Sequence, residues 1–435
     1  MTVEQMGIVG CVALVVLLCS SMPVAFAMAA VGFVGFAAVV DWNWHAAVSM
    51  MTLDLYKTFA SYSLTVIPLF VLMGQIAFHA GISSRLFDTA YKFIGHLPGG
   101  LAIATVGACA AFAAICGSTN ATAATMAAAT LPEMKRYNYK PELATGVVAA
   151  GGSLGILIPP SVIFIVYGIL TEQSIGKLFI SGILPGIILT IFFIAAILIW
   201  VTLRPELGPK GPKSSWKERV ASLPGTLEIL VIFVFVMGGL FMGLFTPTEA
   251  GGMGAFATLL VAVAKRNIDW KGFVQALEET TRISCMIMVI VAGATVFGHF
   301  LAVSRIPYDI AGWISSFNLP PWAIMSFIIL IYLIGGCFID SLALIMLTIP
   351  IFYPVVLHYG FDPIWFGVII VLVTQMGVIT PPVGVNVYVV GGVARDVPLH
   401  VIFKGALPLL LAMILLTFLL IPFPQIATFL PSLVK

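Results

Sequence analysis

Apolar runs about as long as a bilayer is thick follow one another along most of this chain, separated by short polar stretches. Runs such as 183–201 and 229–245 are long enough to cross a hydrocarbon core of about 30 Å as helices. The pattern predicts spans at 6–22, 24–40, 64–80, 143–172, 178–203, 224–245, 249–265, 284–302, 364–393 and 404–423. Two further apolar segments, 99–131 and 322–358, carry a polar break near the middle. Each is either a pair of short spans or one re-entrant hairpin, and periodicity alone does not separate these. The stretches 41–60, 82–96 and 266–283 mix charged and apolar residues, as in Trp270, Phe273, Val274 and Leu277 at helical spacing. They are expected to be interfacial helices linking spans.

Charge chooses between the two forms of the broken segments, because Lys and Arg concentrate in cytoplasmic loops. The densest cluster is Arg204, Lys210, Lys213, Lys217 and Arg219. With that cluster inside, Arg85/Lys92, Lys135/Arg136/Lys140 and Lys265/Arg266/Lys271 also fall inside only if 99–131 enters and leaves from the cytoplasm. The loop from His358 to Asp362 has no Lys or Arg, which places it outside and makes 322–358 re-entrant from there. Both termini are then extracytoplasmic. The start, Met1 to Gln5, lacks a basic region, so the first apolar run is expected to be a span and not a cleaved leader.

Composition fixes the class. Of 435 residues 61% are hydrophobic and 9% charged, against about 25% charged in soluble domains. The expectation is an all-α polytopic membrane protein. A net charge of +2 gives no sign of a nucleic-acid partner. The cysteines Cys11, Cys19, Cys109, Cys116, Cys285 and Cys337 form no CxxC pair, so packing is expected of them and not metal binding.

The two halves repeat. His96-Leu-Pro98 matches Asn318-Leu-Pro320, and Thr130-Leu-Pro132 matches Thr348-Ile-Pro350. Gly155-x-x-x-Pro-Pro160 matches Gly377-x-x-x-Pro-Pro382, and Gly182-Ile-Leu-Pro185 matches Gly405-Ala-Leu-Pro408. Pro98 to Pro159 and Pro320 to Pro381 are both 61 positions. An ordered series of Gly and Pro at constant spacing marks an internal repeat. Each half holds about five spans and one hairpin, and an odd number of spans inverts the second half relative to the first. The expected units are 1–203, a cytoplasmic linker 204–223, and 224–435.

Chemistry is expected where the helices break, since irregular backbone at membrane depth is tolerated where it lines a cavity. Pro159 and Pro160 have no N–H, which leaves the Gly155 and Ile156 carbonyls without helical donors; Pro381 and Pro382 do the same to Gly377 and Val378. Such carbonyls suit a small hard cation such as Na⁺. The first tip offers neutral oxygens on Ser118, Thr119, Asn120 and Thr122, which also suit a helix cap. The second tip carries Asp340 and Ser341, and a carboxylate in an apolar run is by default functional. If both tips bind sodium, the second is expected to hold it more tightly. Ser161 and Asn386 are candidate substrate contacts beside the double prolines, and Glu249 in TPTEA is either a membrane-embedded acid or a cap after Thr246.

IPLFVLMGQIAFHAG (67–81), CGSTNATAATM (116–126), GILIPPS (155–161), SIGKLFISGILPG (174–186), GLFTPTEAGG (243–252) and GVITPPVGVNVYVV (377–390) occur in that order along nearly the whole chain. Together they resemble the large membrane subunit of tripartite ATP-independent periplasmic (TRAP) transporters. The resemblance implies an elevator-type, Na⁺-coupled importer in a bacterial inner membrane. It also implies a soluble periplasmic protein that delivers a small organic acid, and a separate four-helix membrane subunit. The scaffold would be 6–40 and 224–265, and the transport elements 64–203 and 284–423. Carried over residue by residue, one sodium site would use Ser118, Asn120, Gly155, Ile158 and Pro160. The other would use Asp340, Ser341, Gly377, Thr380 and Pro382, with Thr122, Ser161 and Asn386 toward the substrate. The alternative is a stand-alone Na⁺/dicarboxylate symporter of related hairpin architecture. An intramembrane enzyme is not expected, because Asp340 has no partner acid nearby, and GxxxxGK[ST] is absent, which excludes a Walker-type ATPase.

Overall fold

The computed structural model describes residues 2–20, 22–316 and 320–433. Of the paired motifs, Asn318 and Leu319 lie outside the described residues. Helices α1 (Val3–Cys19) and α2 (Val24–Val39) open the chain, followed by α3 (Trp44–Phe59), α4 (Val66–His79) and α5 (Ile82–Ile94). Helices α6 (Gly100–Cys116) and α7 (Thr119–Arg136) form a hairpin. Then come α8 (Pro141–Ser153), a break over 154–161, α9 (Val162–Thr171) and α10 (Ile175–Leu203). The order then runs again: α11 (Trp216–Phe241), α12 (Pro247–Ala264), α13 (Trp270–Val303) and α14 (Ile306–Ser316). A second hairpin, α15 (Pro321–Gly336) and α16 (Ser341–His358), precedes α17 (Pro363–Gly377), a break over 378–384, and α18 (Val385–Val393). Helices α19 (Leu399–Leu420) and α20 (Gln425–Ser432) end the chain.

Packing partners exchange between the halves: α2 lies along α13 and α12 along α4, while α7 contacts α18 and α16 contacts α9. Small residues set the first of these contacts. A Cβ on Gly32 would sit 2.7 Å from the Phe297 backbone nitrogen, so α2 and α13 touch backbone to backbone. Helices α4 and α13, expected among the transport elements, thus pack along α12 and α2.

Seven helical stretches among the described residues are long and apolar enough to cross a membrane, α10, α11, α12, α13, α16, α19 and α4 with its preceding turn. The protein is an all-helical, multi-pass membrane protein. Its helix starts are capped as the sequence invites. At α12, Thr246 N–H donates to Glu249 Oε2 at 2.8 Å and Glu249 N–H donates back to Thr246 Oγ1 at 3.3 Å, with Pro247 in the first turn. Glu249 is therefore a cap.

Several elements differ from expectation. The stretch 266–283 is not a separate interfacial helix; it continues into the next span as the 34-residue α13, about 51 Å long at 1.5 Å per residue. Helix α3 turns Asp54 and Thr58 inward, with Asp54 Oδ2 3.1 Å from His299 Nδ1 and Thr58 Oγ1 3.4 Å from Thr295 Oγ1. Its outer face mixes apolar Leu53, Tyr56 and Phe59 with Ser49, Thr52 and Lys57, as the sequence pattern leads one to expect of a helix at the interface. The Pro- and Lys-rich linker is stitched to the first hairpin's base: Gly211 N–H donates to Gly95 O, Gly99 N–H to Gly208 O and Lys140 N–H to Leu207 O. Helices α14 and α20 have no counterpart among the predicted elements.

Candidate functional site

The first tip turns at Gly117, whose φ of +63° is the left-handed conformation glycine adopts without strain. Ser118 then caps α7, its Oγ accepting from Ala121 N–H at 3.4 Å, while its carbonyl accepts from Thr122 Oγ1 at 2.8 Å. This turn presses on the break after α8. A Cβ on Gly155 would lie 2.5 Å from Ser118 O and 2.9 Å from Thr122 Oγ1, and one on Gly117 would lie 2.8 Å from Pro160 O. Ser118, Thr122, Gly155 and Pro160 are thus brought together, and Pro159–Pro160 is a cis peptide. Among the described residues no backbone N–H is donated to the Gly155 or Ile156 carbonyl, whose i+4 positions are Pro159 and Pro160. The Ile158 side chain points elsewhere, against Gly186, so only its backbone is available near the break.

The second tip repeats the arrangement with different bonding. Asp340 caps α16, its Oδ2 accepting from Leu342 N–H at 3.0 Å. A Cβ on Gly377 would lie 2.5 Å from both Cα and O of Gly336, so hairpin and broken helix touch without side chains between them. Val383 N–H donates to Cys337 O at 3.3 Å, and Ser341 Oγ lies 3.5 Å from Thr374 O. The orphaned carbonyls expected here are not orphaned. Thr380 N–H donates to Gly377 O at 3.1 Å, a tighter i+3 turn that proline leaves possible. Asn386 N–H reaches across the break to Val378 O at 3.0 Å. Thr380 Oγ1 is also engaged, donating to Met376 O at 2.6 Å.

The breaks lie part-way along their paired helices, so each tip meets its partner at mid-length. Between the tips is a cavity of about 110 Å³. Ser118, Thr119, Asn120, Asp340 and Ser341 line it from the tips, and α4 and α13 close the opposite side. Asn120 and Asp340 are exposed, whereas Ser341 is buried. Among the described residues no three His, Cys, Asp or Glu side chains converge as a metal site. The donors at the tips and breaks are carbonyl and hydroxyl oxygens with one carboxylate, a set suited to hard cations.

The three substrate candidates lie outside the lining of this cavity. Ser161 is fully buried and caps α9 by accepting Phe164 N–H on its Oγ at 3.3 Å. Asn386 is fully buried and its amide donates to Ala149 O at 3.1 Å, bracing α18 on α8. Thr122, also fully buried, supports the Ser118 carbonyl. None of the three lines the cavity between the tips. Conversely, Gly117, Gly336 and the wall residues Gly74 and Gln75 were not expected at the site; the glycines are visible as CGS and GGC before the tips.

Residues 11–426 match the family model described as Tripartite ATP-independent periplasmic transporter, DctM component. The chain is 38% identical over 389 residues to the C4-dicarboxylate TRAP transporter large permease protein of Pseudomonas aeruginosa, covering 89% of this chain and 90% of that one. It is 33% identical over 424 residues to the sialic acid TRAP transporter large permease protein of Vibrio cholerae, covering 96% of each. The crystal structure of the Alcanivorax borkumensis YdaH transporter shares the fold, with a TM-score of 0.61 at 14% identity over 88% of this chain and 90% of that one. The chain belongs to the DctM component family of tripartite ATP-independent periplasmic transporters.

Proposed function

We propose that this chain is the large permease of a sodium-coupled importer that carries a small organic acid anion across a bacterial inner membrane. It is a transporter permease and not an enzyme, and its relatives are named for C4-dicarboxylates, sialic acid and ectoine. The observation that carries the reading is the convergence of two capped hairpin tips, each seated on a proline-broken helix, around one shared cavity. Sodium at the first tip would take oxygens of Ser118, Gly155, Ile158 and Pro160, with Asn120 at the mouth. At the second it would take those of Asp340, Ser341, Gly377, Thr380 and Pro382. The positive ends of α7 and α16 point at the cavity, so an anion there is favoured once the cations are in place.

The two halves are inverted repeats, and the hairpin-bearing unit moves as an elevator along a scaffold. The packing of α2 on α13 and α4 on α12 supports counting α4 and α13 with that scaffold. A four-helix membrane subunit braces it within the lipid, and a periplasmic binding protein delivers the acid on the side of both termini. Each net charge moved at 100 mV contributes about 2.3 kcal/mol, so carrying more sodium than substrate charge makes uptake electrogenic.

The test is uptake of a panel of organic acids into proteoliposomes holding both membrane subunits, with and without the cognate binding protein. Uptake that needs an inward sodium gradient and the binding protein is expected. Uptake indifferent to sodium would refute the coupling, and full activity without the binding protein would favour a stand-alone symporter.

A further inference from the structure

The cavity between the tips has two unlike walls. The tips present Ser118, Thr119, Asn120, Asp340 and Ser341; the facing wall presents Val71, Gly74 and Gln75 of α4 with Ile283, Met286 and Ile287 of α13. Gln75 is the polar side chain of that facing wall. It is only 7% exposed, yet its amide makes no hydrogen bond among the described residues. Nor is the amide sealed in protein, unlike that of Gln375, whose two polar atoms are buried without partners away from the cavity. Helix α4 is held close to the first tip, because a Cβ on Gly74, next to Gln75, would sit 2.9 Å from Cys116 O.

A nearly buried amide without partners is costly unless a ligand or water completes it. An amide offers one acceptor and two donors and no charge. The carboxylate of an organic acid is better served across the cavity, by bound cations and the N-terminal ends of α7 and α16. We infer that Gln75 is a substrate-positioning residue that hydrogen-bonds an uncharged oxygen of the acid, a hydroxyl or carbonyl, while the tips hold the carboxylate. This rests on reading the cavity as the transport site. Because α4 packs along α12 and α13, the contact belongs to the wall and not to the hairpins. It selects the acid in the arrangement seen here and is left behind when the hairpin unit moves.

The experiment measures equilibrium binding of radiolabelled acids to the purified complex of both membrane subunits in saturating sodium, without the binding protein. The probes are hydroxy acids paired with deoxy analogues: malate with succinate, lactate with propionate, isethionate with ethanesulfonate. Gln75→Leu is expected to weaken binding of the hydroxy acid about three- to ten-fold, one neutral hydrogen bond's share. Binding of its deoxy partner and the sodium half-saturation should stay unchanged, and Gln75→Asn should recover part of the loss. Equal weakening of both members of a pair, a shifted sodium dependence, or no change would overturn the inference. Loss of binding in Asp340→Asn beside an inert Gln75→Leu would overturn this inference and leave the site reading standing. Absence of sodium-dependent binding for every pair would overturn both.

Discussion

Gly155→Ala puts the first candidate sodium site to a steric test. The new methyl would arrive 2.5 Å from Ser118 O and 2.9 Å from Ser118 C and Thr122 Oγ1. The first two are backbone atoms of a turn fixed by Gly117 and by the cap on α7, so they cannot rotate out of the way. Restoring ordinary contact requires the tip to lift from the break by about 1 Å, and overpacking of this kind costs about 1–3 kcal/mol. If the cation is held between Ser118 and the Gly155–Pro160 break, that cost appears in sodium binding, as roughly a 5- to 100-fold rise in half-saturation at 1.4 kcal/mol per decade. Gly107→Ala in α6 is the control, because its Cβ meets nothing within 4 Å. Sodium dependence of uptake, measured in proteoliposomes for both variants at matched protein levels, separates the outcomes. An unchanged half-saturation in Gly155→Ala, with the variant folded and inserted, would refute the placement of a cation between this tip and this break.

Other perturbations bear on different parts of the molecule. Asp340→Asn removes the formal charge at the second tip; unit charges 4 Å apart interact by roughly 1 kcal/mol in water and 4 kcal/mol at an effective dielectric of 20. Even the low end of that range implies that sodium half-saturation should rise at least about five-fold. An unaltered sodium dependence would remove Asp340 from the site. The Glu228 carboxylate joins Lys265 and, at 3.8 Å, Arg85, tying α11 to α12 and α5. Glu228→Gln should cost about 1–2 kcal/mol of stability, since both cations can still reach water, and thermal unfolding in detergent would show it. The Lys135 ammonium, 2.6 Å from Asp396, holds that carboxyl below the usual carboxylate range. The pair's contribution is therefore present above the ordinary carboxylate pKa and lost as pH falls through the lowered value. Both side chains are exposed, so Lys135→Ala should leave uptake at neutral pH unchanged while reducing the loss of thermal stability on acidification.

The hairpins and breaks were legible because their signals are local and costly. Paired prolines remove helical donors, and polar tips such as Ser118–Asn120 and Asp340–Ser341 have no reason to interrupt apolar runs unless something uses them. The continuity of α13 was hidden, because Glu278, Glu279 and Arg282 look like an interface stretch until a helix longer than the bilayer carries them past its edge. The second break shows the limit of a local rule. Two prolines delete the i+4 donors of Gly377 and Val378, but Thr380 supplies an i+3 donor and Asn386 one from beyond the break. Asn386 was a substrate candidate for its place four residues beyond Pro382, and its tertiary partner could not be read from that position. Its partner, Ala149 O, is 237 residues away and belongs to the other half. Gln75 was invisible for the opposite reason: one glutamine in an apolar span gives no signal until the cavity beside it is seen.

The unequal state of the halves bears on how such a molecule would move. The first break is closed over, with Gly155, Pro159, Pro160 and Ser161 buried, whereas Pro381, Pro382 and Val383 at the second are exposed. Around the hairpins the same inequality holds. Helix α5 packs against both α6 and α7, whereas α13 and α14 meet α16 beside a space of about 880 Å³ lined by Gly298, Arg305, Tyr308, Pro350 and Pro354. Two units of like element order need not pack unequally unless the body they share sits off-centre. Under the proposed elevator, that body is displaced toward α5, and exchanging the environments of the halves would generate the opposite state from the same contacts. The resisting terms are fewer at the second hairpin, where that space lies beside the contacts of α13 and α14 with α16. They are many at the first, where Gly74 meets Cys116 and the linker bonds to the loop at Gly95 and Gly99. Under that proposal, departure from the present arrangement requires the first hairpin to give up contacts with α4 and α5 while the second gains more against α13 and α14. Under the same proposal, cation binding at the tips would stiffen each hairpin on its broken helix and let that exchange occur as one rigid step.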